Sequence, residues 1–258
     1  MSIPALHNIR VIARLDIKGE RLIKSIQLEG VRVVGEPQTA AQLYYEQGAD
    51  EILLMDAVAS LYGRNHLFEL IRRVSQNVFL PITVGGGIRK LDDVDTMLRA
   101  GADKVAINTA AVRKVGLVTE ISRRFGSQCV VAQIDAKRQP SGGYEAYVDG
   151  GREPTGWNAI DWAREVVGRG AGEILLTSID REGTRKGFDV ELVRAVSDAV
   201  AVPLIACGGM RSADDFVTVV REGHAQAVAM ADILHVQKRH IGDLKAEIAA
   251  AGIPVRRA

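Results

Sequence analysis

Only two cysteines, Cys129 and Cys207, occur in the 258 residues. A disulfide scaffold is excluded. Both lie inside apolar runs and read as reduced, buried, small hydrophobes. Net charge is almost absent: 33 Lys and Arg against 32 Asp and Glu leave +1. That balance offers no electrostatic footprint for nucleic acid or a membrane surface. No apolar run approaches the roughly 18 residues of a membrane span. The opening MSIPALHNIRVIARLD has no basic segment followed by an apolar core and a small-residue cleavage site. No secretory signal is expected, and the cytoplasm is the expected compartment. Motifs are missing too. There is no P-loop, no G-x-G-x-x-G and no His or Cys ligand spacing. His7, His66, His224, His235 and His240 are scattered, so no metal is expected.

What is present is a globular chain, 47% hydrophobic and 25% charged, which excludes disordered and collagen-like classes. Eight short apolar runs recur along it: Arg10–Leu15, Glu51–Met55, Pro81–Val84, Lys104–Ile107, Val130–Ile134, Glu173–Thr177, Pro203–Ala206 and Ala225–Met230. Most are continuous rather than alternating, as expected of parallel strands buried on both faces. Amphipathic stretches separate them. Leu91–Ala100, Val112–Phe125, Asn158–Gly168, Val190–Val200, Ser212–Glu222 and Ile241–Ala251 predict helices, with Ser212 as an N-cap and glycines 101, 126 and 223 as stops. Eightfold strand–helix alternation predicts an α/β fold, a closed (β/α)8 TIM barrel. An open doubly wound sheet is the alternative.

The chain also repeats itself. GADEILL at Gly48–Leu54 returns as GAGEILL at Gly170–Leu176, about 120 residues on. GGGI at Gly85–Ile88 returns as CGGM at Cys207–Met210. VAINTA at Val105–Ala110 returns as VAMADI at Val228–Ile233, and RLDIK at Arg14–Lys18 as QIDAK at Gln133–Lys137. Four landmarks at nearly one offset predict two duplicated (β/α)4 half-barrels. No Pro/Ser-rich linker separates them, so residues 1–258 read as one domain.

Asp16 and Asp135 end equivalent strands of the two halves. The C-terminal ends of barrel strands carry the chemistry of this architecture. Two separately placed carboxylates suit a general acid and a general base. Asp is also common at such ends as a loop cap, and it is the symmetric D-x-K pair that favours function. Gly85-Gly86-Gly87, Asn108-Thr109 and Gly183-Thr184 lie in strand-to-helix turns, where backbone N–H groups cradle anions. Glycines also serve tight turns. GGG and GG (Gly208-Gly209) at duplicated positions predict two phosphate sites on one elongated substrate. Trp157 and Trp162 read as packing residues, and Arg72-Arg73 and Arg123-Arg124 as solvated helix faces.

The segments ARLDIK, TVGGGIR, RAGADKVAINTAA, RRFGSQCVVAQIDAKR, GAGEILLTSIDREGT and IACGGM closely resemble the cyclase subunit of imidazole glycerol phosphate synthase. The isomerase of the preceding histidine step is a more distant relative with the same half-barrel repeat. The resemblance spans essentially the whole chain. It implies a (β/α)8 barrel without a cofactor, using ammonia from a separate glutaminase subunit. The implied reaction turns a ribulosyl aminoimidazole-carboxamide ribonucleotide, with a phosphate at each end, into imidazole glycerol phosphate and aminoimidazole carboxamide ribonucleotide. By the resemblance Asp16 and Asp135 are catalytic, with Asp135 expected as the acid in ring closure and Asp16 as base or proton shuttle. Lys24 matches a lysine of a mobile first active-site loop. Gly86, Gly87, Asn108 and Thr109 match one phosphate site. Thr177, Gly183, Thr184, Gly208, Gly209 and Asp232 are assigned to the substrate and its other phosphate. Arg10, Glu51, Lys104 and Glu173 match a charged ring at the N-terminal mouth, where ammonia enters and the glutaminase docks. The same ring would also close any barrel bottom as a salt-bridge layer.

Several positions depart from the family pattern. Glu182 stands where Asp is usual, Asp232 where Ser is usual, and Met210-Arg211 replaces Ala-Gly, with Arg211 able to offset Asp232. Val33 replaces an Asp, and Val58–Asn65 is unusual. These changes bring in two alternatives: a cyclase-like paralog amidating a sugar for surface polysaccharide, and a weakly catalytic scaffold that activates a glutaminase.

Overall fold

The computed structural model describes residues 8–57 and 67–256. The unusual segment 58–65 and the histidines at 7 and 66 lie outside the described residues. Eight parallel strands close into a barrel: β1 (Arg10–Lys18), β4 (Glu51–Asp56), β5 (Ile82–Gly85), β6 (Lys104–Ile107), β7 (Val130–Arg138), β10 (Glu173–Ser178), β11 (Leu204–Cys207) and β12 (Ala227–Met230). β12 pairs with β1 and β7 with β10, so the eight-stranded barrel has no open edge and the doubly wound alternative is excluded. Helices fill the crossovers, among them α1 (Pro37–Glu46), α2 (Leu67–Ser75), α3 (Leu91–Ala100), α4 (Thr109–Arg113) and α5 (Gly116–Phe125). After them come α6 (Ala159–Gly168), α7 (Val190–Ser197), α8 (Ala213–Arg221), α9 (Asp232–His235) and α10 (Ile241–Ala250).

All eight predicted strands are present, within four residues at each end. The helix expected over Val112–Phe125 is two helices. Lys114 leaves the helical region between them (φ −138°, ψ 79°), and Gly116, a poor helix former, opens the second. Ser212 is the N-cap of α8; the Asp215 carboxylate accepts its backbone N–H, and the helix runs to Arg221.

Four further strands exist that apolar patterning does not predict. β2 (Arg21–Ile26) and β3 (Glu29–Gly35) extend β1 as an antiparallel hairpin, and β8 (Tyr144–Val148) and β9 (Glu153–Asn158) extend β7. β3 and β9 are exposed along nearly their whole length, so neither carries a period-two apolar signal. The hairpins are themselves symmetric. They sit on the first strand of each half-barrel, and each begins at an aspartate: Asp16 pairs with Ile23 and Asp135 with Tyr147.

Two apolar layers result. The larger lies between barrel and helices. The smaller fills the barrel, with Ile12, Leu53, Ala106, Val131, Leu175 and Ile205 among its members. Side chains alternate along a strand, so this inner layer fixes which neighbours also point inward. On β1 these are Arg10 below Ile12, then Arg14 and Asp16 above it. On β7 they are Gln133 and Asp135 above Val131. Trp162 is buried as predicted, but Trp157 stands 41% exposed on the outer hairpin, in ring contact with Trp162.

Candidate active site

The barrel interior is stacked in three levels. At the N-terminal end, Arg10 pairs with Glu51 at 2.8 Å and with Glu173, while Lys104 reaches Glu51 at 3.1 Å and Glu173 at 2.9 Å. Two cations and two anions alternate around the mouth. All four predicted ring residues are brought together. Thr83 adds a hydroxyl to Glu51. The apolar layer lies above them.

At the C-terminal end, a cavity of about 340 Å³ is lined by Asp16, Asp135, Arg14, Gln133, Asn108 and the Gly86–Gly87 turn, among others. The repeat therefore delivers both aspartates to one chamber. They are not equivalent. Asp135 is buried and accepts from Gln133 Nε2 at 3.1 Å and from Asn108 Nδ2 at 3.0 Å. Burial pushes its pKa above the ordinary carboxyl value; Arg14 and the two amides pull against that without cancelling it. Asp16 instead holds an ion pair with Arg14, Nε to Oδ1 at 2.9 Å.

Arg14 is the feature that the sequence reading passes over. It is 3% exposed, inside a barrel, two residues before Asp16 on the same face. Its Nη1 also donates to Thr177 Oγ1 at 3.1 Å and approaches Cys207 Sγ at 3.2 Å. Burial works against its charge, but Asp16 and then Cys207, Glu182 and Asp135 more than compensate, and its pKa stands well above the ordinary guanidinium value. The Cys207 thiol is pushed up to about 11, chiefly by burial. A charged residue at inward parity in an apolar strand was the available signal. From behind, His235 Nε2 contacts the Arg14 carbonyl at 2.8 Å, and Tyr44 Oη meets His235 Nδ1 at 2.7 Å. A carbonyl only accepts, so the Nε2 carries the proton and the Tyr44 hydroxyl donates to Nδ1.

The first glycine turn is sterically required. Gly86 has φ +96°, and a Cβ there would stand 2.4 Å from the Asp56 carbonyl oxygen. Asn108 and Thr109 follow β6 beside it. Their side chains are engaged within the protein: Asn108 on Asp135 and the Tyr147 carbonyl, Thr109 Oγ1 accepting the Asp149 N–H at 3.0 Å. Backbone N–H groups and the Thr109 hydroxyl proton are thus what this turn offers to an anion.

The second glycine turn is different. Gly209 has φ +104° and a Cβ there would sit 2.1 Å from the Gly187 carbonyl oxygen. The space beside Gly183, Gly208 and Gly209 is only about 10 Å³, room for a single water. Lys24 lies in β2, in the hairpin that connects β1 to α1, buried and ion-paired to Glu182. Burial disfavours the Lys24 charge, but Glu182 and then Asp16 outweigh it and its pKa is raised. Asp232 is bound by Arg185, Nε to Oδ1 at 2.6 Å, not by Arg211, whose backbone N–H goes to Asp215. Thr177 is fully buried under Arg14, and the Thr184 hydroxyl donates to the Arg181 carbonyl at 2.7 Å within its own turn.

A closed (β/α)8 barrel with two aspartates and glycine turns around one C-terminal cavity places the chain in the class of (β/α)8-barrel proteins. The family model described as "Histidine biosynthesis protein" matches residues 10–240, and the chain belongs to that family. A protein of Legionella pneumophila named "Imidazole glycerol phosphate synthase subunit HisF" is 60% identical over 211 residues, covering 82% of this chain and all of that protein. A protein of the same name from Myxococcus xanthus (strain DK1622) is 50% identical over 247 residues, covering 96% of this chain and 97% of that one.

Proposed function

We propose that this chain, as a single barrel domain, is the cyclase subunit of an imidazole glycerol phosphate synthase in histidine biosynthesis. The observation that carries the reading is the pair Asp16 and Asp135, inequivalent in environment and facing one cavity. The high identity to the two similarly named relatives supports it across nearly the full chain. The substrate is a ribulosyl aminoimidazole-carboxamide ribonucleotide with two phosphates, one of which seats on the backbone of Gly86, Gly87, Asn108 and Thr109. Asp135, whose proton is favoured by burial, serves as general acid in ring closure. Asp16, charge-paired to Arg14, accepts and relays the proton.

Ammonia comes from a glutaminase docked on the N-terminal face, past Arg10, Glu51, Lys104 and Glu173. The apolar layer above that ring suits neutral ammonia and penalises ammonium, because an unpaired ion is costly in a low-dielectric interior. Ala106 on β6 and Ala227 and Ala229 on β12, across the barrel from it, keep its walls small on two sides. The compartment is the cytoplasm.

The test is isotopic. Purified chain is supplied with the ribulosyl nucleotide and a 15N-labelled ammonium salt at alkaline pH. The reading predicts one 15N in the imidazole ring of the product and aminoimidazole carboxamide ribonucleotide in equal amount. Release of neither product would refute it.

A further inference from the structure

The internal repeat makes the two glycine turns comparable position by position. Gly85–Ile88 corresponds to Cys207–Met210, and Val105–Ala110 to Val228–Ile233. Thr109, beside the first turn, therefore corresponds to Asp232 beside the second. A neutral hydroxyl in one half is a carboxylate in the other. A second carboxylate, Glu182, lies across the same turn; a Cβ on Gly208 would come within 3.3 Å of its Oε2. Each carboxylate holds a cation: Glu182 is ion-paired to Lys24 and Asp232 to Arg185. The pole is charge-balanced internally and has room for about one water. The first turn instead opens onto the 340 Å³ cavity.

We propose that Glu182 and Asp232 are internal occupants of the second anion site, and that they make the two poles unequal in specificity. A phosphate enters the first pole directly. It enters the second only by displacing two carboxylates from Lys24 and Arg185. The carboxylates thus set which end of the substrate binds first and how strongly the other end is held. The cost to the incoming group has two parts. A phosphate dianion beside Asp232 meets like charge, and it must compete for Lys24 against a partner already in place. This deepens the two-phosphate reading and rests on it.

The probe is inorganic phosphate, followed at backbone amides by two-dimensional NMR of the whole chain. In the wild type, the Gly87, Asn108 and Thr109 amides shift saturably, and those of Gly183, Gly208 and Gly209 stay still over the same range. In the Glu182→Gln/Asp232→Asn double variant the second set titrates as well, at phosphate concentrations about tenfold below any response in the wild type. Both substitutions keep shape and remove charge. Retained dispersion and a retained first-pole response establish that the variant is folded. Should the double variant not fold, Asp232→Asn alone decides, because its partner Arg185 is partly exposed. The proposal is overturned if both poles follow one curve in the wild type, or if the second pole stays silent in the variants. A silent first pole would overturn the two-phosphate reading together with it.

Discussion

Arg14 binds Asp16 along a single strand, Nε to Oδ1 at 2.9 Å, with both side chains inside the barrel. Two residues apart on β1, they share one face by strand periodicity alone. A buried cation and the carboxylate proposed for catalysis are therefore one unit. Removing Arg14 would leave Asp16 uncompensated. Arg14→Met should destabilise the fold by about 3–5 kcal/mol, the usual cost of breaking a buried pair from one side. In an Arg14→Met/Asp16→Asn cycle the second change should cost much less in the absence of Arg14. Urea midpoints of the four proteins measure this, and additive losses would contradict the unit.

Asp135 gives a pH dependence with a definite sign. Its folded pKa lies above the ordinary 3.8 because burial outweighs the charge of Arg14 and the amides of Gln133 and Asn108. The group contributes most to stability below its unfolded pKa, and that contribution is lost as pH rises through the raised one. As the proposed general acid it should give an alkaline limb in kcat/KM, which follows the free enzyme, at that same raised pKa. Asn108 donates to the carboxylate and so lowers this pKa. Asn108→Ala should move the limb to higher pH. A limb that stays put or moves down would remove Asp135 as its origin.

His235 titrates the other way. Burial holds its pKa below the ordinary 6.5, against the pull of the Arg14 carbonyl and Asp16. Its contribution to stability is present above that ordinary value and is lost as pH falls towards the lowered one. Tyr44→Phe would leave the Nδ1 acceptor buried without its donor, at about 1–3 kcal/mol. Denaturation midpoints between pH 7 and pH 5 should steepen downward in the wild type and flatten in His235→Asn.

The ammonia-entry role proposed for the N-terminal ring can be tested with two nitrogen sources. Glu51 binds both Arg10 and Lys104, so Glu51→Gln leaves both cations with Glu173 alone. With the glutaminase present, glutamine-dependent turnover should fall by about tenfold or more relative to turnover driven by ammonium salt. Equal losses with both nitrogen sources would argue that the ring is only a structural plug.

Most of the scaffold was legible because its strands are buried on both faces. Val11, Val105, Val130, Ile174 and Leu204 all belong to runs that read as strands and are strands. The aspartates and the glycine turns were legible because the chain repeats itself. Three things were not. The hairpins β2–β3 and β8–β9 escape because half of each faces solvent. Lys24 escapes as a buried residue because its partner Glu182 is 158 positions away, a pairing that no local pattern encodes. Arg14 escapes because an arginine in a strand ordinarily snorkels outward. Only the inward parity that it shares with Ile12 and Asp16 places it in the cavity.

Asp16 and Asp135 are proposed to work as a pair on a substrate in that cavity. The most direct measurement is steady-state kinetics of Asp16→Asn and Asp135→Asn with the ribulosyl nucleotide and an ammonium salt. Each substitution keeps the side-chain shape and removes the proton chemistry. The account predicts a fall in kcat of about a hundredfold or more in both, with KM changed far less. Full turnover in both variants would contradict it.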